Sequence, residues 1–173
     1  MKALALDIIN GEAPYKVSWH ETSHTYRFKT DYDVVLAIAF DEDDMIETAD
    51  SYVLSVINVN NIPSPRDIKM RDTIMLIIEH FFKINQAASL YICESGDGRQ
   101  QIRGRLFEFW FSTYRMKDDY LFMPVTIEDT EGQENLAALI IRKDNPKFVD
   151  IVSEFSNTIA MFRVKPENPT CLE

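Results

Sequence analysis

Cysteine, glycine and basic residues are all scarce in this chain of 173 residues, and the scarcity of each argues against certain classes of protein. The two cysteines cannot build a disulfide framework, and their spacing fits neither a zinc ribbon nor a C-x-x-C redox site. Two cysteines are compatible with a reducing compartment. No apolar stretch approaches the roughly 18 residues of a membrane span, and Asp7 interrupts the one N-terminal run that resembles a secretory signal. We therefore expect a soluble, cytoplasmic protein.

The charge balance limits the partners of the chain. Lys and Arg number 18 against 28 Asp and Glu, and the formal net charge is −10 at pH 7. Nucleic acid and anionic membrane surfaces both require a basic footprint, so neither is expected to bind. Residues 1–60 contain four basic and eleven acidic residues. This acidic N-terminal third is compatible with a basic protein partner.

The length and composition are typical of one globular domain. Hydrophobic residues make up 46% of the chain and charged residues 27%, within the range of folded proteins. We predict a single domain over residues 1–173, with an ordered core over about 14–162 and a tail over 163–173.

The first third of the chain alternates apolar and polar residues, which indicates β-strands. Two of these strands are joined by a polar turn at residues 20–24, and the six acids of residues 41–50 predict a solvated loop. Further strands follow the first and second helices. The predicted strands cover residues 15–19, 25–29, 34–40, 52–59, 90–93, 120–128 and 136–143.

Three later segments show helical spacing of apolar residues. The first begins at Ser64 and Pro65, which suit an N-cap and a first helical position, and continues to Asn85. The second follows Asp97 as N-cap and runs to about residue 114, and the third starts at residues 145–146. The order ββββαβαββα predicts an α+β fold, with a mixed, mostly antiparallel sheet and about three helices. The segment from the fourth strand through the first helix to the fifth strand fits a parallel crossover.

The string His20-Glu21-Thr22-Ser23-His24 matches H-E-x-x-H, the motif of zinc metalloproteases. That motif depends on a helix, because only then do both imidazoles reach one zinc ion. Here the flanking residues alternate as in strands, where positions i and i+4 lie roughly 13 Å apart. A tight turn could bring the two histidines together, but no third ligand can be assigned. We interpret the string as a hairpin turn, predict no metal site, and retain a zinc hydrolase through His20, Glu21 and His24 as a remote alternative.

The more distinctive stretch is LYICESGDGRQQIRGRLFEFWF at residues 90–111, where a buried strand leads through a glycine loop into a helix. Such a helix start can bind an anion, and arginine suits phosphate or carboxylate. The glycine spacing fits neither a P-loop nor G-x-G-x-x-G, so we expect no cofactor. Internal salt bridges, a contact with a partner protein and a small anion site all remain open for this segment. Its candidate binding residues are Asp97, Gly98, Arg99, Arg103 and Arg105. Its apolar residues Ile102, Leu106, Phe109 and Trp110 are expected in the core.

The block D-G-R-Q-x-x-R-x-R-L-F-x-x-W-F at residues 97–111 resembles an uncharacterised family of small bacterial proteins. The turn at residues 28–32 is similar to one in the same family, and the resemblance covers about residues 14–162. The family has no assigned activity, so the resemblance implies no catalytic residue. It places the candidate site at residues 97–105 and not at the two histidines.

These observations favour a protein that acts by binding rather than by catalysis. A non-catalytic regulatory protein working through protein–protein contacts is the first hypothesis. A small anionic-ligand protein or enzyme using Asp97 to Arg105 is the alternative. Oligomeric state and partner identity cannot be predicted from these patterns.

Overall fold

The computed structural model describes residues 1–93, 100–128 and 134–163. They form one seven-stranded sheet with helices on both of its faces, which confirms the predicted α+β class with a mixed sheet. The helices are α1 (Leu6–Glu12), α2 (Ile68–Ile84), α3 (Gln100–Thr113) and α4 (Phe148–Arg163). The strands are β1 (Ser18–His20), β2 (Thr25–Lys29), β3 (Val35–Asp43), β4 (Ser51–Asn58), β5 (Ala88–Cys93), β6 (Tyr120–Glu128) and β7 (Glu134–Arg142).

The strand order in the sheet is β1-β2-β3-β4-β5-β7-β6. Strands β4 and β5 are parallel, with Tyr52 opposite Ser89, and α2 connects them as the predicted crossover. The other described pairs are antiparallel. Because a parallel connection must return across the sheet, α2 has to lie on one face of it.

Two hydrophobic clusters lie on opposite faces of this sheet. Leu90 belongs to the cluster that contains α4, whereas its neighbour Tyr91 belongs to the cluster that contains α1, α2 and α3. Successive side chains of a strand point to opposite faces, so α4 covers the face that the other three helices leave open. Phe81 of α2 is fully buried at the centre of the larger cluster and stacks on Phe40 with ring centroids 4.0 Å apart.

Three details differ from the sequence-based expectations. Helix α1 was not predicted, and it brings the helices among the described residues to four. Helix α2 is capped by Asp67, whose carboxylate accepts a hydrogen bond from Met70 N at 3.2 Å. Ser64 was the predicted cap, but its hydroxyl bonds instead to the carbonyl of Pro65. The acidic segment is only partly a loop, because β3 extends to Asp43, which pairs with Ser51.

Candidate functional site

The inner face of α3 is aromatic and packs closely on the sheet. Phe107 stacks on Tyr91 of β5 with ring centroids 3.9 Å apart, and Phe111 stacks on Phe122 of β6 at 5.1 Å. A Cβ atom added to Gly104 would lie 2.6 Å from Leu136 Cδ1. Glycine therefore permits the close approach of α3 to β7 and fixes which side of the helix is buried.

The outer face of α3 is also apolar, and this differs from the prediction. Ile102, Leu106 and Phe109 were expected in the core, yet they are 67%, 43% and 57% exposed. Trp110 is buried as expected. The prediction failed because apolar residues occur all around this helix, and the contact at Gly104 selects the opposite face for burial. Helical spacing alone does not distinguish the two faces, because Ile102, Leu106 and Phe109 lie on one side of the helix just as Phe107 and Phe111 lie on the other.

Residues separated by four and three positions lie along one side of a helix. Ile102, Leu106 and Phe109 therefore form a continuous line of exposed apolar side chains, here called the α3 stripe. Arg105 and Glu108 are both exposed on the same helix. An exposed apolar surface of this kind commonly marks a site of protein–protein contact.

The candidate arginines do not converge in the part of the chain that the structure describes. Arg103 is half-buried and Arg105 is exposed, and residues two apart on a helix point in nearly opposite directions. Asp97, Gly98 and Arg99 lie outside the described residues. Arg105 also lines a cavity of about 280 Å³ between α3 and strands β6 and β7. That lining contains Glu108 and is otherwise formed by Tyr91, Gly104, Phe122, Pro124, Thr126, Leu136, Ala137 and Ala138.

A buried carboxylate lies where the chain leaves the C-terminal end of α3. Glu79 of α2 accepts hydrogen bonds from Tyr114 Oη at 2.7 Å and Arg115 Nη2 at 3.1 Å, and it pairs with Lys83 Nζ at 2.8 Å. Burial raises the pKa of Glu79, but these hydrogen bonds lower it by more, so that it lies below its ordinary value. Arg115 also pairs with Glu12 of α1. We interpret this network as structural, because it joins α2 to the segment that follows α3 and, through Arg115, to α1.

The two histidines of the H-E-x-x-H string lie in a hairpin, as predicted. His20 ends β1, residues Glu21–Ser23 form one turn of 3-10 helix, and His24 adopts a left-handed conformation with φ of 50° before β2. His20 Nδ1 is 2.8 Å from Ser23 Oγ, and the ring of His24 contacts that of Trp19. Within residues 1–93, 100–128 and 134–163, no group of three His, Cys, Asp or Glu side chains is arranged to hold a metal ion.

None of the helices described is both long and apolar enough to cross a membrane. Comparison with curated proteins gives no match, and comparison with solved structures also gives none. A family model, described as a family of unknown function (DUF6169), matches residues 66–157. The matched stretch includes α2 and α3 but not the histidine hairpin. More than half of the chain is matched, and the chain thus belongs to this family of unknown function.

Proposed function

We propose that this protein is a non-catalytic, cytoplasmic binding protein and that the α3 stripe is its contact surface for another protein. The observation that carries the proposal is the exposure of Ile102, Leu106 and Phe109 on one side of a helix whose other side is firmly packed. Fully burying such a side chain contributes about 1.5–3 kcal/mol. Covering three side chains that are each about half exposed would therefore contribute about 1 kcal/mol apiece.

The rigidity of α3 supports this use. Its inner face is held by stacked aromatic rings and by the close contact at Gly104. Its C-terminal end is followed by Tyr114 and Arg115, which are anchored to the buried Glu79. A rigid helix presents its side chains without a further entropic cost of ordering the backbone, and this favours binding.

The partner is expected to offer an apolar groove bordered by carboxylates. Residues at i, i+4 and i+7 are the usual anchors when a helix lies in such a groove. Arg105 is exposed beside the stripe, so a carboxylate of the partner would meet a guanidinium there. The proposed partner is therefore a protein whose groove is apolar at its centre and acidic at its border.

The acidic N-terminal third supports a different contact, with a basic partner, and we regard it as secondary. Asp41, Glu42 and Asp44 are exposed. Exposed charges of this kind contribute more to the rate of association than to affinity. The α3 stripe offers the apolar area from which most binding energy comes.

Photo-crosslinking from the stripe tests the proposal. The benzophenone amino acid p-benzoyl-phenylalanine replaces Phe109 in the full chain, within cells that express the protein naturally. Since Phe109 is 57% exposed, this aromatic replacement is expected to leave the fold intact. The matched control carries the same group at Val149, an apolar residue of α4 that is 75% exposed.

We expect one discrete adduct from position 109 that position 149 does not give, and mass spectrometry should place the crosslink in an apolar groove with neighbouring acids. A covalent homodimer would show that the stripe binds a second copy instead. Equal adducts from both positions, or none from position 109, would contradict the proposal.

Binding of a small anion at α3 is the second candidate. Its support is the cavity beside Arg105, which is concave and of a size to take a small ligand. Replacing Arg105 with Gln should then abolish a rise in melting temperature that phosphate-bearing compounds cause in the unmodified protein. If no such rise occurs with either protein, this candidate fails and the protein-contact proposal is unaffected.

A further inference from the structure

Helix α4 does not reach across the whole of the sheet face on which it lies. Seven strands spaced about 4.8 Å apart make a sheet roughly 30 Å wide, whereas a helix with its side chains is about 10–12 Å across. The buried cluster that contains α4 takes its strand residues from β5, β6 and β7. Among the described residues, none from β2, β3 or β4 belongs to that cluster. The part of this face that β2, β3 and β4 form, together with the adjoining end of β5, is here called the back face.

The back face is apolar where a solvent-facing sheet is normally polar. Phe40 and Leu54 belong to the cluster on the other side of the sheet, so the odd-numbered residues of β3 and β4 point to the back face. Ile57 and Ile92 are 47% and 39% exposed. The apolar residues of the back face, none of which belongs to either buried cluster, are Val35, Ala37, Ala39, Val53, Ile57 and Ile92. An exposed apolar patch of this kind commonly marks a contact surface.

Charges of opposite sign lie at the two ends of the back face. Lys29 of β2 is opposite Val35, and Arg27 is opposite Ala37. Asp41 lies on the same face of β3, six residues beyond Val35, which corresponds to roughly 20 Å. Lys29 and Asp41 are both exposed. The patch is therefore basic at one end, apolar in the middle and acidic at the other end.

Such a surface is complementary to a second copy of itself. In a dimer with two-fold symmetry, both copies use the same patch. An axis that crosses the strands between Ala37 and Ala39 would bring Lys29 of each copy to the Asp41 end of the other. The apolar middle would then meet its own equivalent, and two sheets commonly pack face to face in this way.

We infer that a second copy of this chain packs on the back face, so that the two sheets lie face to face across a two-fold axis. The apolar middle supplies the buried area, and the charges at the two ends select the relative orientation. This contact is independent of the α3 stripe, because α3 packs on the opposite face of the sheet.

Sedimentation velocity of the full chain over a wide range of protein concentrations tests the inference. Physiological ionic strength screens the repulsion between two chains of net charge −10, and we expect a monomer–dimer equilibrium. Ile57→Thr keeps a β-branched residue in the strand but removes apolar area twice in a symmetric dimer, so the dissociation constant should rise at least about tenfold. Ile8→Thr is the matched control, since Ile8 is 50% exposed on α1, and it should leave the equilibrium unchanged.

Charge reversal tests the orientation of the two copies. Lys29→Glu alone and Asp41→Lys alone should each weaken the dimer, because each places like charges opposite one another. The double variant restores opposite charges and should recover most of the affinity. Melting temperatures of the dilute, monomeric variants show that each one still folds.

Crosslinking identifies what covers the back face in cells. With p-benzoyl-phenylalanine at position 57, we expect a covalent homodimer. An adduct with a different protein, or with residues 164–173 of the same chain, would overturn the inference. So would a chain that stays monomeric at every concentration, a dimer that Phe109→Gln dissociates and Ile57→Thr does not, or a double charge variant that dimerises no better than the single ones.

Discussion

Replacing Glu79 with Gln tests whether the network below α3 stabilises the fold. Among the described residues, Glu79 is the only acidic residue that is buried. Its Oε1 pairs with Lys83 Nζ, and its Oε2 accepts hydrogen bonds from Tyr114 Oη and Arg115 Nη2. Glutamine has the same shape but only one acceptor oxygen, so at least one of these donors must face an NH₂ group instead.

The expected loss follows from the burial of these groups. A hydrogen bond to a charged group contributes about 1.5–3 kcal/mol, and breaking a fully buried ion pair costs about 3–5 kcal/mol. The side chains of Lys83 and Arg115 are 41% and 55% exposed, so water replaces part of what they lose. We therefore expect Glu79→Gln to lower the free energy of unfolding by about 2–3 kcal/mol. For a chain of this length that corresponds to a fall in melting temperature of about 4–12 °C.

The pH dependence distinguishes a charge effect from a packing effect. The folded-state pKa of Glu79 lies below its ordinary value of 4.5. The stabilisation is therefore fully present above about pH 4.5 and is lost as the pH falls through the folded pKa. Urea unfolding followed by circular dichroism should show a large difference in the free energy of unfolding between the unmodified protein and Glu79→Gln at pH 7. This difference should shrink below pH 4.5.

Asp72→Asn is the matched control, because Asp72 lies on the same helix and its ion pair with Arg71 is partly exposed to solvent. It should change stability by less than about 1 kcal/mol. If Glu79→Gln is as stable as the unmodified protein at pH 7, or if its loss is independent of pH, the reasoning is wrong.

Two further substitutions test local geometry. His24 has φ of 50°, so His24→Val should destabilise the hairpin by about 1–3 kcal/mol, whereas His24→Gly should be tolerated; equal melting temperatures for the two variants would contradict this account. A side chain at Gly104 would meet Leu136, so Gly104→Val should cost about 1–3 kcal/mol in chemical denaturation, and adding Leu136→Ala should recover part of the loss. A Gly104→Val protein of unchanged stability would show that α3 does not depend on this close contact.

The fold class could be predicted because the strongest local signals agree with the tertiary structure. Alternation around Trp19 and Phe28 indicated two paired strands, and the string between His20 and His24 was correctly interpreted as their turn. The crossover from β4 through α2 to β5 also followed from the pattern, since β5 is short and continuously apolar.

The orientation of α3 could not be predicted from periodicity, because this helix is apolar on both faces. Which face is buried depends on the contact of Gly104 with Leu136, two residues far apart in the sequence. Helix α1 was missed because its seven residues include Asp7, Asn10 and Gly11, which weaken any helical pattern.

The central claim is that the outer face of α3 binds another protein through its apolar side chains. The most direct measurement uses the partner that crosslinking identifies, purified in its free form. Its affinity for the Phe109→Gln variant is compared with its affinity for Val149→Gln, a control in which another exposed apolar residue is replaced. We expect Phe109→Gln to weaken binding by at least about tenfold, with Val149→Gln unchanged. Equal affinities for Phe109→Gln and the unmodified protein, or an equal loss in both variants, would contradict the claim.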